Sequence, residues 1–354
     1  MLAEWFPARN LLIATDRGLH EAGFLEAAKA SLHANGFKVT MFDAVVAAPP
    51  EQVVLDCTEL ARAEEMDVVL CLVGGSSMDV AKLMAVLAIG GQALDGLYGI
   101  GKVRGKRLPL VQVPTTAGTG SEVTNITILT TGGETKMGVV ADQLYADRVL
   151  LDAERTLGLW ALHTAATGID AMVHAIEAYT SRYKKNPLSD MAAREALRLL
   201  SANLVRACEN GRDRAAGEAM LLGAMLVGQA FANAPLAAVH AFADPLGGRC
   251  HIPHGLSNAL MLEPVLRFNM QAAALLYAEL SSLVGAPPGA NGFVARLMSL
   301  MDASGAPRRL RDAGIPEGLL PQLAQDAMLQ ARLLSNNPVS VSETDALKLY
   351  RSAY

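Results

Sequence analysis

Large rings are scarce in this chain: two Trp, seven Tyr and eight Phe make up only 5% of its 354 residues. The core must therefore be filled by Ala, Leu, Val and Met, a composition that favours closely packed helices. Charge is also sparse, at 18% against 51% hydrophobic residues and a mean hydropathy of +0.26. That balance excludes a disordered chain. Thirty basic residues face 35 acidic ones, net −5, with no block of either sign, so there is no nucleic-acid footprint. Four cysteines (Cys57, Cys71, Cys208, Cys250) lie far apart with no CxxC. They read as reduced thiols and the compartment as cytoplasmic. The opening MLAEWFPARN has no basic region followed by an apolar run, so no signal peptide is expected. Ala219 to Val239 carries no charge, but Gln229, Asn233, Pro235 and the lack of an aromatic belt make it a buried helix rather than a membrane span.

At 354 residues the chain exceeds the about 250–300 at which single cores stop growing, so two domains are expected. The first half alternates apolar runs with helical stretches. Asn10–Thr15, Phe37–Phe42, Asp67–Val73 and Leu108–Val113 read as strands. Leu19–Asn35, Glu51–Glu65 and Met78–Ile89 read as the helices between them. Near-continuous Val/Leu/Ile strands imply a parallel sheet covered on both faces. Thr124–Thr131, Gly132-Gly133 and Lys136–Val140 read as a β-hairpin. From about Leu159 strand signals vanish and helical segments follow: Gly168–Arg182, Leu188–Asn203, Arg214–Asn233, Gln271–Leu283 and one after Ser342, which forms a capping box with Asp345. The expected division is an α/β dinucleotide-binding domain over 1–157 and an all-helical metal-binding domain over 158–354.

Ligands of open parallel sheets sit beyond the carboxyl ends of the strands. Gly74-Gly75-Ser76-Ser77-Met78-Asp79 stands there between a strand and a helix, where backbone N–H groups and the helix N-terminus can cradle a phosphate; an ordinary βα turn reads the same way. Gly99-Ile100-Gly101 with Lys102, Arg104, Lys106 and Arg107 imitates such a site but reads as a solvated loop. Pro114 to Glu122 places three threonines, two glycines and a serine directly after a strand, donors suited to a phosphate or ribose. Asp16, ending the first strand, can accept both hydroxyls of an adenine ribose and would repel a 2′-phosphate, favouring NAD over NADP; as a helix N-cap it would read identically. Asp170 and His174 are spaced i, i+4 and leave one face of a helix. His240 and, fourteen residues further, His254 add two nitrogens, and such a set suits Fe²⁺, Zn²⁺ or a related ion. His163 and His251 compete for the same role, whereas His20 and His33 read as surface residues on the first helix.

Together these segments resemble the iron-containing (group III) alcohol dehydrogenase family. Its GGGSxxD turn, PTTAGTGSE loop, TGxDAxxHAxEAY helix and HxxxxPLGxxxxxPHG segment are matched in order by 73–79, 114–122, 167–179 and 240–255. The resemblance implies a dinucleotide-binding α/β domain, a helical metal domain and a cleft between them. By matched position it makes Asp170, His174, His240 and His254 metal ligands. Gly74, Gly75, Ser76 and Asp79 fall on the pyrophosphate turn, Thr115, Thr116 and Thr119 line the cofactor, Asp16 holds the ribose, and Lys136 reaches the cofactor. Val73 replaces the first glycine of the turn. Asp244 stands where some relatives have a histidine, which leaves Asp244 and His251 as candidates for a proton relay. Ala153 and Trp160 replace prolines near the domain junction.

The implied reaction passes hydride between a small primary alcohol or diol and NAD, the metal acting as a Lewis acid. Other readings of the same architecture are a glycerol-type polyol dehydrogenase, a maleylacetate reductase-like enzyme and a dehydroquinate synthase-like NAD/metal lyase. The lyase would need a basic cluster for a phosphorylated substrate, which the ligand motifs do not carry. A homo-oligomer, most simply a dimer, is expected, as for most soluble enzymes.

Overall fold

The computed structural model describes residues 2–7, 9–132 and 135–354. The chain divides into two compact units, Met1–Thr116 with Ser121–Arg155, and Thr156–Tyr354 with Ala117–Gly120.

The first unit opens with the single turn α1 (Leu2–Trp5), then β1 (Asn10–Asp16), α2 (Arg17–Glu21), α3 (Glu26–Ala34), β2 (Lys38–Val45), α4 (Glu51–Ala63), β3 (Val68–Val73) and α5 (Gly75–Ile89). After β4 (Gly99–Ile100) come β5 (Leu110–Pro114), β6 (Ile126–Thr131), β7 (Thr135–Val140) and β8 (Arg148–Val149). Five strands form a parallel sheet in the order β2-β1-β3-β5-β8. The pleat sorts its side chains by twos. Leu12, Ala14, Val69, Cys71 and Val73 face one buried cluster with residues of α4 and α5, while Leu11, Ile13, Val68, Leu70 and Leu72 face the other. Burial on both faces is why these strands read as unbroken apolar runs.

Three local expectations are corrected. The stretch expected as one helix over 19–35 is two, because Gly23 takes φ 71° between α2 and α3. Gly99 and Ile100, expected in a loop, form a short strand parallel to β7 and complete a second sheet, β4-β7-β6. The hairpin is present, β6 pairing antiparallel with β7 from Ile126↔Val140 to Thr131↔Thr135; Gly133 of its expected turn lies outside the described residues.

The second unit is helical: α6 (Ala161–Thr180), α7 (Pro187–Glu209), α8 (Arg214–Asn233), α9 (Ala238–Cys250), α10 (His254–Ser281), α11 (Ala290–Ser304), α12 (Leu320–Met328), α13 (Ala331–Leu334) and α14 (Glu343–Ala353). α6 packs against α7, α8 and α10 through small side chains, Ala171, Ala175, Ala193, Ala196 and Ala224 among them, each at most 1% exposed. Alanine thus does what the scarce aromatics do not. α8 has the length and composition of a membrane span, but Met220, Leu221, Val227 and Phe231 on it are buried in the helical unit. Asn186 caps α7 with Pro187 at its first position, and the box of Ser342 with Asp345 caps α14 as expected.

The helices are longer than their periodicity suggests. α6 starts at Ala161 rather than Gly168, and the segment expected over 271–283 is the second half of the 28-residue α10. The first half of α10 is buried nearly all round, so it carries no polar stripe to give a period.

Candidate active site

Three helices of the second unit bring four potential ligands together. Asp170 and His174 leave α6 one turn apart, His240 comes from the first turn of α9, and His254 is the first residue of α10. One ligand atom from each lies within 4.8 Å of every other. Asp170 Oδ1 is 3.9 Å from His240 Nε2 and 3.7 Å from His254 Nε2, and the Nε2 atoms of His174 and His240 are 3.2 Å apart. Asp170, His174 and His240 are buried, while the His254 side chain is 37% exposed and forms the accessible edge of the cluster.

The polar partners of the rings decide what the cluster can do. His174 Nδ1 lies 2.7 Å from the Asp170 carbonyl and His240 Nδ1 2.6 Å from a Glu177 carboxylate oxygen. Both acceptors require the Nδ1–H tautomer, so each Nε2 presents a lone pair. Two lone pairs facing each other at 3.2 Å beside a carboxylate repel unless a cation lies among them. A proton on His174 is disfavoured, because burial drives that imidazole down to about 3. At His240 burial is outweighed by the Glu177 and Asp170 carboxylates, which raise it, so either a proton on His240 Nε2 or a bound cation can stand between the two rings. Burial alone would raise the Asp170 carboxyl; the three imidazoles and the Asn258 amide outweigh it and hold it below its ordinary range. Two nitrogens with fixed tautomers, a third imidazole and an ionised carboxylate make a donor set suited to a divalent ion.

His163 and His251 stand outside this group. His163 is exposed beside Trp160, and His251 is exposed in the left-handed conformation (φ 55°) that ends α9. Asp244 lies one turn beyond His240 on α9. Two residues of the site escape sequence reasoning. Glu177 shares the α6 face of Asp170 and His174, a spacing visible in the sequence, but its target on α9 is not. Asn258 donates to Asp170 Oδ1 at 2.6 Å from one turn beyond His254, an i, i+4 signal of its own.

In the α/β unit, Gly74 follows β3 as the N-cap of α5, and Gly75 and Ser76 open the helix with no side-chain cap. The first N–H groups of α5 therefore point outward, as in an anion site. Thr115 is buried and its N–H donates to the Val73 carbonyl, while Thr116 and Thr119 are partly exposed. Asp79 does not point outward: its carboxylate accepts from Ser121 Oγ (2.9 Å) and the Ile128 N–H (3.0 Å). Lys82, fully buried and not anticipated, donates to Ser121 Oγ, Thr124 Oγ1 and the Ile126 carbonyl at 2.8, 3.1 and 2.9 Å. Asp16 commits one oxygen to the Leu19 N–H as the N-cap of α2. Lys136 stands on β7 opposite Thr130.

Comparison with known proteins decides among the readings of this architecture. Residues 2–153 match iron-containing alcohol dehydrogenase and 164–354 match the C-terminal part of the Fe-containing alcohol dehydrogenase family. The chain belongs to the iron-containing alcohol dehydrogenase family. It is 38% identical to long-chain-alcohol dehydrogenase 1 of Geobacillus thermodenitrificans over 98% of this chain and 90% of that protein. The solved structure of a 1,3-propanediol oxidoreductase superposes with TM-score 0.95 at 33% identity, covering 100% of this chain and 94% of that one. Sulfoacetaldehyde reductase from Bifidobacterium kashiwanohense, solved in complex with NAD⁺, superposes with TM-score 0.90 at 27% identity, covering 99% and 93%. This member of the family is accordingly an alcohol oxidoreductase.

Proposed function

We propose that the enzyme transfers hydride between a small primary alcohol or diol and NAD, with a divalent metal, Fe²⁺ in the first instance and Zn²⁺ fitting as well, held by Asp170, His174, His240 and His254. The observation that carries this reading is the convergence of one ligand atom from each of these four residues to within 4.8 Å of every other, three of the four side chains being buried. The uncapped start of α5 at Gly74, Gly75 and Ser76 supports a pyrophosphate there. The binding of NAD⁺ by the sulfoacetaldehyde reductase of the same fold supports the choice of dinucleotide.

When bound, the ion supplies Lewis-acid polarisation of the alcohol oxygen and the nicotinamide accepts the hydride. The rest is done by this chain's residues. Thr115, Thr116, Thr119 and Lys136 line the cofactor, and Asp79 with Lys82 holds Ser121 and the segment that carries those threonines. Asp16 keeps one oxygen for the adenine ribose beyond its cap bond, and its charge disfavours a 2′-phosphate. Asp244 and His251, on and at the end of α9, carry the hydroxyl proton outward to water. The protein acts in the cytoplasm as a homo-oligomer, with no nucleic-acid or membrane partner.

The test is reduced-nicotinamide formation by protein loaded anaerobically with Fe²⁺, offered NAD and NADP separately and a panel of primary alcohols, diols and lactaldehyde-type compounds. NAD-dependent turnover that a chelator removes and metal restores is expected. Full turnover in a chelated, metal-free enzyme, or in His254→Ala, would overturn the ligand assignment.

A further inference from the structure

We propose that Glu177 is a positioning residue that sets metal affinity by locking His240, a role that rests on the metal reading above. The carboxylate is 4% exposed, yet its ion-pair partner is a histidine, not a lysine or arginine. It accepts three N–H groups, all from the start of α9: Ala237 N at 3.0 Å and His240 Nδ1 at 2.6 Å on Oε2, and Val239 N at 2.6 Å on Oε1.

Helix α9 needs such a partner because it cannot cap itself. Its N-cap is Ala237 (φ −135°, ψ −138°), which has no polar side chain, so its first N–H groups are satisfied from another helix. A carboxylate at that end also meets the positive pole of the helix dipole. The same oxygen that takes the Ala237 N–H takes the His240 Nδ1–H, so cap and ring are fixed by one group. The other ligands are held differently. His174 is locked by a carbonyl of its own helix, and Asp170 by Asn258. His240 and His254 are brought in on helices other than α6, and Glu177 ties the first of these helices and its ring to α6, seven residues from Asp170 and three from His174. Without it the ring can turn its Nδ1 face, or a protonated Nε2, toward the other ligands.

Zn²⁺ affinity of the purified apoprotein, measured by competition with a chromophoric chelator, tests this directly. Glu177→Gln preserves volume but places an amide against ring and cap, and should weaken Zn²⁺ about 10–100-fold. His240→Ala should weaken it at least as much, and the double variant should bind as His240→Ala does, because both changes remove the same ligand. Glu177→Asp, which keeps the charge and shortens its reach, should fall between, and it replaces Glu177→Gln if the latter does not fold. The Co²⁺-substituted protein should show an altered visible spectrum in the Glu177 variants, which a cap serving stability alone would not produce. Wild-type affinity and spectrum in Glu177→Gln, or additive losses in the double variant, would overturn the role of Glu177 while leaving the metal site standing. Wild-type binding no tighter than that of Asp170→Asn and His254→Ala would overturn the metal reading, and the inference with it.

Discussion

Gly255→Ala sets two physical effects against each other beside a proposed ligand. Gly255 is the second residue of α10, directly after His254, and its backbone is helical. In a helix, alanine is preferred over glycine by roughly 0.5–1 kcal/mol, so propensity alone predicts stabilisation. Packing opposes it. A β-carbon at 255 would stand 2.6 Å from the Ala166 carbonyl oxygen and 2.9 Å from its carbon, on the backbone of α6, whereas ordinary contact begins near 3.4 Å. The start of α10 must withdraw from α6 by about 0.8 Å, and overpacking of this kind costs roughly 1–3 kcal/mol. Backbone cannot rotate away as a side chain can, so packing should win, with a net loss of about 1–2 kcal/mol. The same displacement carries His254 Nε2 away from Asp170 Oδ1, now 3.7 Å distant. A lower urea midpoint for the apoprotein and at least about a tenfold loss of Zn²⁺ affinity are therefore expected, since ligand geometry tolerates only about 0.5 Å. A variant more stable than wild type with unchanged affinity would refute the account of α10 packing on α6.

Gly120 takes φ 59°, and a β-carbon there would meet the Ala224 carbonyl oxygen at 2.6 Å, so Gly120→Ala adds about 1–2 kcal/mol of left-handed strain to the clash. Titration of NAD by calorimetry should show weaker binding as the 115–122 segment shifts. Lys82→Met leaves the Asp79 carboxylate buried without its cation and should lower stability by about 3–5 kcal/mol in urea unfolding; a loss under about 1 kcal/mol would mean that water replaces the ammonium. Burial pushes the Glu122 carboxyl from 4.5 up to about 7. Between pH 4.5 and 7 the native state thus holds the proton that the unfolded chain gives up, a stabilisation complete below pH 4.5 and lost as pH rises to 7, roughly 3 kcal/mol in all. Glu122→Gln should remove that fall from the stability profile, and an unchanged slope between pH 4.5 and 7 would show Glu122 to be ionised throughout.

Much of the first unit was legible because its strands are buried on both faces and so leave unbroken apolar runs. β4 and β8, of two residues each, carry no pattern at all. Helix α9 was hidden by Pro245 and the two glycines that follow it, which read as loop. The Phe242 carbonyl of this helix accepts from the buried Tyr350 hydroxyl of α14 at 2.7 Å, a contact across more than a hundred residues that no local signal reveals. The ligand pair Asp170 and His174 was visible as an i, i+4 spacing, and the addition of His240 and His254 over His163 and His251 came from matched motifs. Spacing alone left all four histidines open. Asp79 was expected on the pyrophosphate turn, and both its oxygens instead face Ser121 and Ile128. Position in a motif places a residue near a ligand, but only its hydrogen bonds say which way it points.

The helical unit handles its two buried carboxylates in opposite ways, and the difference separates scaffold from chemistry. Glu177 accepts two backbone N–H groups at a helix start and one ring N–H of His240, so its charge is spent on placing another residue. Asp170 receives the Asn258 amide, and its ion-pair neighbours are three imidazoles. His174 turns its Nδ1 edge to the carboxylate at 3.6 Å, whereas His240 and His254 turn Nε2 to it at 3.9 and 3.7 Å. Such a grouping is unfavourable for the fold by itself. It is held in place by the small-residue packing of α6 against α7, α8 and α10 and of α9 against α10. Sites of this kind trade stability for a preorganised electric field. Four donors converging from three helices, three of them buried, are the arrangement a divalent ion would use.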